Sequence, residues 1–315
     1  VDATKGWLSV GQAKASDIVS PEFTVATGGT ITTSGDFKIH TFTGPGTFTV
    51  TQLGNSPTVP SGGPANVDYL VVAGGGGGSF DRGAGGGAGG YRTTFPSPSC
   101  NAGSFPVTVT SFPITVGSGG NGSTSYPNDP TPGNNSIFST ITSAGGGRAG
   151  VGDSVPGSEP ADDGGSGGGG HGQYNTPAGS GNTPSVSPPQ GNPGGTGHPS
   201  GPAYGSGGGG GAGGSGANGT SSGGGNGGVG LPNSITGSAT FYAGGGGGSA
   251  ANAVMPGGGG SGGNGGGGDA GNAPGEAGSA GTANTGGGGG GDANAPVNAA
   301  GNGGSGIVII RYKFQ

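Results

Sequence analysis

Charge is scarce in this sequence: Asp, Glu, Lys and Arg together make up 7% of its 315 residues. Disordered chains usually stay solvated through high charge, so the shortage leaves simple disorder poorly explained. The eight Lys and Arg are scattered singly and the formal net charge is -6, which gives no basic stripe to neutralise phosphates and argues against nucleic acid as a partner. Apolar runs are equally short. The longest, Leu70–Ala73 and Ile307–Ile310, fall far below the roughly 20 residues needed to span a bilayer, so no membrane insertion is expected. Cysteine occurs once, at Cys100, which excludes an intramolecular disulfide framework and any cysteine-based zinc cluster. Helical periodicity is missing as well, because Gly or Pro interrupts almost every ten residues, and almost no α-helix is expected.

Glycine is what the chain has in excess, with 93 residues. It is gathered in runs at 74–78, 167–170, 207–211, 244–248, 257–260, 265–268 and 286–291. These have no Gly-X-Y phase, which argues against a collagen triple helix. Without a Cβ, extended left-handed helices with three residues per turn can approach closely enough for N–H and C=O groups to bond between them. Any larger inward side chain would wedge them apart. The runs are therefore expected to pack as a polyglycine II slab rather than to serve as flexible linker. Ordering so much glycine is entropically expensive, so the slab needs a β-framework to nucleate it.

Strand signals lie in short islands: 30–33, 36–42, 46–52, 67–73, 107–109, 113–116, 136–143, 239–243 and 307–314. The stretch from Asp36 to Gln52 predicts a hairpin turning at Gly44-Pro45-Gly46. Ile307–Phe314 is continuously apolar and then alternates, as expected of a central strand exposed at one end. Its comparably apolar partners all lie far upstream. The termini are thus expected to meet in one sandwich-like, all-β framework from which the glycine-rich middle is extruded. Residues 1–29, with the sole tryptophan Trp7, form an expected connector to an upstream domain or neighbouring subunit, and 30–315 form the glycine-rich domain. Because the chain starts at Val1 without Met or a signal-peptide run, further upstream sequence is expected.

Familiar motifs carry little chemistry here. Gly-x-Gly-x-x-Gly matches occur within 74–87, but no helix follows to complete a dinucleotide fold. His40, His171 and His198 are too dispersed for a metal site or a catalytic base with its orienting carboxylate. Asp162-Asp163-Gly164, Gly268-Asp269 and Gly291-Asp292 lack the nonapeptide period of calcium solenoids. Sequons at Asn121, Asn134 and Asn218 are explained by chance in a chain this rich in Asn, Gly, Ser and Thr. No cofactor, metal or enzymatic activity is expected.

Several segments together resemble the glycine-rich C-terminal domains of bacteriophage tail-fibre and other virion structural proteins, of the marine and cyanobacterial phage type. They are Phe42–Val50, Val67–Ala73 running into polyglycine, Gly85–Arg92, Phe112–Gly120, Asn135–Ile141 and Gly306–Tyr312. The polyglycine part is also similar to the tip adhesins of T-even-like tail fibres, in which distal loops on a sandwich of polyproline II helices touch the host receptor. The resemblance implies a non-enzymatic, virion-exposed or extracellular module. Its partners would be a host cell-surface glycan or protein, other fibre subunits, or copies of itself.

Inward slab positions are reserved for glycine, so only loop tips and edges can present rings and polar groups. The leading ligand-binding candidates are His171, Tyr174, His198 and Tyr204, with Phe80 and Arg82 behind them. Two other readings remain at this stage. One is a self-assembling filament or virion decoration protein, in which a strand such as 24–33 completes a neighbouring sheet. The other is an ice-binding slab, which would require a regular Thr/Ala array that the sequence does not contain.

Overall fold

The computed structural model describes residues 20–56, 62–95, 104–125, 128–152, 158–251, 258–272, 275–293 and 299–315. Residues 1–19 of the expected connector, with Trp7, and Cys100 fall outside them. The described strands are β1 (Val25–Thr27), β2 (Thr30–Ser34), β3 (Phe37–Phe42), β4 (Gly46–Gln52), β5 (Asn66–Val72), β6 (Tyr91–Thr93), β7 (Phe105–Pro106), β8 (Ser111–Thr115), β9 (Ser136–Phe138), β10 (Ile141–Ser143), β11 (Leu231–Asn233), β12 (Thr240–Tyr242) and β13 (Ile307–Lys313). No described residue is helical, and no helix is long and apolar enough to cross a membrane.

Two antiparallel sheets form the framework, one ordered β1-β4-β8-β9-β10 and the other β2-β3-β13-β5-β6, with a separate β11-β12 hairpin. As its composition predicts, β13 is central, pairing Val308–Lys313 with β3 and Ile307–Arg311 with β5. Successive side chains of a strand point to opposite faces. Val308, Ile310 and Tyr312 accordingly join Phe42, Phe48, Tyr69, Phe112 and Phe138 in the core between the sheets. Ile307 and Ile309 point the other way, into a second core with Ile39, Leu70, Tyr91, Ile235 and Tyr242 that seats the β11-β12 hairpin. A strand buried on both faces has to read as an unbroken apolar run.

Three expectations need correction. The Asp36–Gln52 stretch is not a hairpin, because β3 pairs with β2 and β13 whereas β4 pairs with β1 and β8. The Gly44-Pro45-Gly46 turn carries the chain from one sheet to the other, so that Phe42 and Phe48 bury their rings in the same core. Alternating apolar residues fit facing sheets as well as neighbouring strands. The 136–143 island is a hairpin, β9 paired with β10, rather than one strand. No strand forms at 107–109; the nearby pairing is β7 against β5.

The glycine runs and their flanks form extended segments, called rods here, whose hydrogen bonds have a period of three. Rod 83–90 is central. Gly85 and Ala88 donate N–H to Gly207 and Gly210, Gly86 and Gly89 to Gly289 and Gly286, and Gly87 and Gly90 to Gly147 and Ala144. The same rod accepts from Ser166 and Gly169, from Gly246 and Ser249, and from Ala73 and Gly76. Three neighbours accept and three donate, which is the hexagonal packing of polyglycine II.

The six surrounding rods, 73–79, 144–150, 165–171, 205–211, 243–249 and 286–292, close a ring through bonds such as Gly146 to Gly74, Gly147 to Ser166, Gly207 to Gly170, Gly209 to Gly246, Gly288 to Gly244 and Gly289 to Gly76. Outside it runs a second shell in the order 130–135, 117–123, 300–306, 277–282, 266–272, 258–264, 224–230, 214–219, 191–197, 177–181 and 159–164, each bonded to the next. A complete second shell would hold twelve rods, and eleven are present among the described residues. Among the described residues, the site without a rod is the corner against 144–150, between 130–135 and 159–164. A Cβ placed on Gly86, Gly246 or Gly288 would lie 2.1, 2.0 and 2.0 Å from a neighbouring carbonyl oxygen, which is why the interior admits glycine.

Candidate recognition surface

Rods leave the framework and return to it, so the reversals that follow outgoing rods gather at the end of the slab away from the sheets, and those that follow returning rods lie against the framework. Loop 79–83 joins β5's outgoing rod to the central rod and therefore stands at the middle of that distal end. Loops 171–176, 197–205 and 219–224 and the rod ends 249–251 and 292–293 lie around it, tied by bonds such as Asp292 N–H to Ser79 O (3.0 Å), Ser249 N–H to Gly83 O (2.7 Å) and Gly205 N–H to Thr220 O (3.2 Å).

Small polar residues at the rod ends close the lattice where the backbone turns. Ser79 Oγ accepts the Ala84 N–H at 2.8 Å, and Ser123 Oγ accepts the Phe80 N–H at 2.8 Å. Ser206 Oγ accepts from Gly172 N–H at 2.8 Å and donates to Arg82 O at 2.5 Å. All three serines are fully buried. A buried backbone group without such a partner would cost roughly 1–3 kcal/mol, so these hydroxyls hold the loops in one conformation.

Asp81 and Arg82 stand at the centre in left-handed backbone, at φ 52° and 61°. Arg82 N–H donates to Ala293 O at 2.9 Å, and its guanidinium Nη1 donates to Gln173 Oε1. His171 Nε2 donates to Asp81 O at 2.9 Å while its backbone N–H donates to Thr176 Oγ1 at 2.7 Å. Asp292 is buried beneath the loop. Burial pushes its carboxyl up to about 6, against the pull of the Ala293 and Asp81 N–H groups and with a contribution from the Asp81 charge.

The six sequence candidates fall on three adjacent loops. Phe80 and Arg82 are half-buried on the central loop. His171 and Tyr174 lie on the next one, their ring centroids 5.6 Å apart. His198 and Tyr204 share the loop beyond, where Tyr204 has φ 48° and the His198 N–H donates to Gly205 O at 2.8 Å. His171 departs from the expectation of a projecting side chain: it is completely buried, because it abuts the run 167–170 and its ring fills the space beside Gly152. Tyr174, His198 and Tyr204 are half-buried, and the outermost positions are Asn175, Pro199, Ser200, Gly201 and Pro202. Sequence reasoning passed over Asp81, Gln173, Ser206 and Asp292. A legible signal for two of them is a small polar residue directly abutting a glycine run, as Ser206 and Asp292 do.

Among the described residues, no group of three or more His, Cys, Asp or Glu could hold a metal ion. The arrangement offers a rigid polar surface with half-buried rings, suited to hydrogen bonding and stacking. No curated protein matches the chain. The family model described as a glycine-rich domain matches residues 46–313, a span running from β4 through the whole lattice to the end of β13, and the chain belongs to that glycine-rich domain family.

Proposed function

We propose that the chain is a non-enzymatic fibre or adhesin module, exposed on a virion or otherwise extracellular, that presents loops on a rigid polyglycine lattice to a host-surface glycan or protein. The observation that carries this reading is the convergence of loops 79–83, 171–176 and 197–205 on the middle of the distal end, each fixed by backbone bonds to its neighbours. Loops held in one conformation lose little freedom on binding, so preorganisation lowers the cost of recognition. The half-buried Tyr174, Tyr204, His198, Phe80 and Arg82 supply the contact groups, and the buried His171 positions the central loop.

Exchanging 172–175 and 198–204 for Gly/Ser sequence, with His171 and Thr176 retained, should preserve the melting temperature and abolish attachment to host cells. Attachment that survives a folded double exchange refutes this assignment of the binding face.

A self-assembling filament or decoration protein is the second reading, and β2 favours it. This edge strand, Thr-Ile-Thr-Thr-Ser, carries no charge or proline, has four exposed residues, and leaves Ile31 45% accessible. Natural sheets usually protect such edges. Analytical ultracentrifugation of wild type and Ile31→Lys separates the readings, since a filament protein would associate and the variant would not.

A further inference from the structure

We propose that the second-shell corner to which the described residues assign no rod is a docking site for an extended, glycine-rich segment of another polypeptide, added to the lattice as a twelfth outer rod. The N–H groups of rod 144–150 point in three directions. Gly146 and Ala149 donate to Gly74 and Gly77, and Gly147 and Gly150 donate to Ser166 and Gly169. The third pair, Gly145 and Arg148, faces this corner. Gly145 N–H is held there by a side chain, Asn135 Oδ1 at 2.8 Å, and the Arg148 N–H has no acceptor among the described residues. The Arg148 side chain turns along the notch to Glu159 and, at 3.3 Å, to Asp162, leaving its buried Nη1 without an acceptor.

The chemistry of the occupant follows from a filled corner. Beside rod 205–211, the corner rod 214–219 accepts the Gly208 and Gly211 N–H groups on the carbonyls of Ala217 and Gly214, at 3.0 and 2.9 Å. An occupant of this corner would likewise offer Gly145 and Arg148 two carbonyls three residues apart. The filled corners, 117–123, 177–181, 214–219, 258–264 and 277–282, contain Gly, Ala, Ser, Asn, Thr and Pro and nothing larger. An extended segment of that composition fits, whereas a β-strand of alternating large side chains does not. Arg148 is the obstacle an occupant has to displace: its side chain is 13% accessible, although its ion partners Glu159 and Asp162 are 50% and 39% accessible. The inference rests on the lattice alone and stands or falls independently of the receptor reading.

The test uses the whole chain, isotope-labelled, and a synthetic peptide of residues 213–220, which spans a corner rod. Millimolar peptide should shift the amide resonances of Gly145 and Arg148 and the Asn135 side-chain amide, and leave the distal loops unmoved. Arg148→Ala should bind at least threefold more tightly by clearing the notch, and Asn135→Ala, which frees the Gly145 N–H, should do the same. Absence of shifts at Gly145 and Arg148 overturns the proposal, as does equal binding of a peptide with valine at every second position.

Discussion

His40 Nε2 lies 3.1 Å from Tyr312 Oη although 272 residues separate them in sequence. His40 Nδ1 donates to Gly28 O at 2.7 Å, so Nε2 carries the lone pair and accepts from the tyrosine hydroxyl, whose oxygen in turn accepts the Ala26 N–H at 3.1 Å. The imidazole is fully buried, with the Phe48 ring edge-on at 5.1 Å. This chain of bonds pins the β1-β2 corner to the C-terminal strand.

The pH dependence of stability should report that bond. Burial, aided by the Lys38 charge, pushes His40 below its ordinary value of 6.5, against the Gly28 hydrogen bond. The unfolded chain then binds the proton more readily, so stability is fully present above 6.5 and is lost as pH falls through the folded value. In an Asp292→Asn background, which removes the opposing slope of that carboxyl, the melting temperature should drop between pH 7 and 5. His40→Gln should flatten that drop while destabilising by about 1–3 kcal/mol at pH 7, measured by denaturant unfolding.

Asp292 should show the opposite slope. Its carboxyl is raised to about 6 in the fold, so the native state holds the proton more tightly than the unfolded chain; stability is greatest below the ordinary value of 3.8 and is lost as pH rises through 6. Asp292→Asn removes the buried charge. It should raise the melting temperature at pH 8 and leave it unchanged or lowered at pH 4, a crossing that calorimetry at the two pH values would detect.

Gly246→Val places a Cβ 2.0 Å from Gly289 O inside the inner ring. The rods would have to part, breaking bonds on several sides at once. A loss of about 3 kcal/mol or more is expected, at or beyond the upper end of ordinary overpacking. The exposed lattice position Ala217→Val serves as the control and should cost much less in the same urea titration.

Deleting 307–315 should abolish soluble folding. It removes the strand between β3 and β5 and takes Val308, Ile310 and Tyr312 from one core and Ile307 and Ile309 from the other. Circular dichroism and limited proteolysis of the truncated chain provide the measurement, and native-like resistance would show that the framework holds without β13.

The parts of this fold that could be read in advance are those where one residue type has one use. Ile307–Ile310 could only be a strand with cover on both faces, and polyglycine in a chain with little charge could only bond to itself. Strands β6 and β11 escaped notice because three residues carry no period, and β11 contains Pro232, while β1 and β2 read as one strand over 24–33. The β3-β4 connection was misleading for a different reason: a turn and two alternating strands describe neighbours in one sheet and partners across a core equally well. At the distal end, the loops were legible from their turn formers. The inward aim of His171 was not, since burial there depends on which rod passes alongside, and only the hexagonal arrangement decides that.

A lattice in which every third residue returns to the same neighbour behaves like a reading frame. Inserting one residue in the middle of rod 83–90 would rotate every following N–H by a third of a turn, so that a donor meant for Gly289 faces Gly147 or Gly210 instead, and the error would persist to the end of the rod. Three inserted residues restore the phase. Loops carry no such frame, because the chain leaves the lattice there and re-enters at a new position. Length variation in this architecture is therefore free at the tips and quantised in the rods, which lets the distal surface diversify while the scaffold beneath it stays in register.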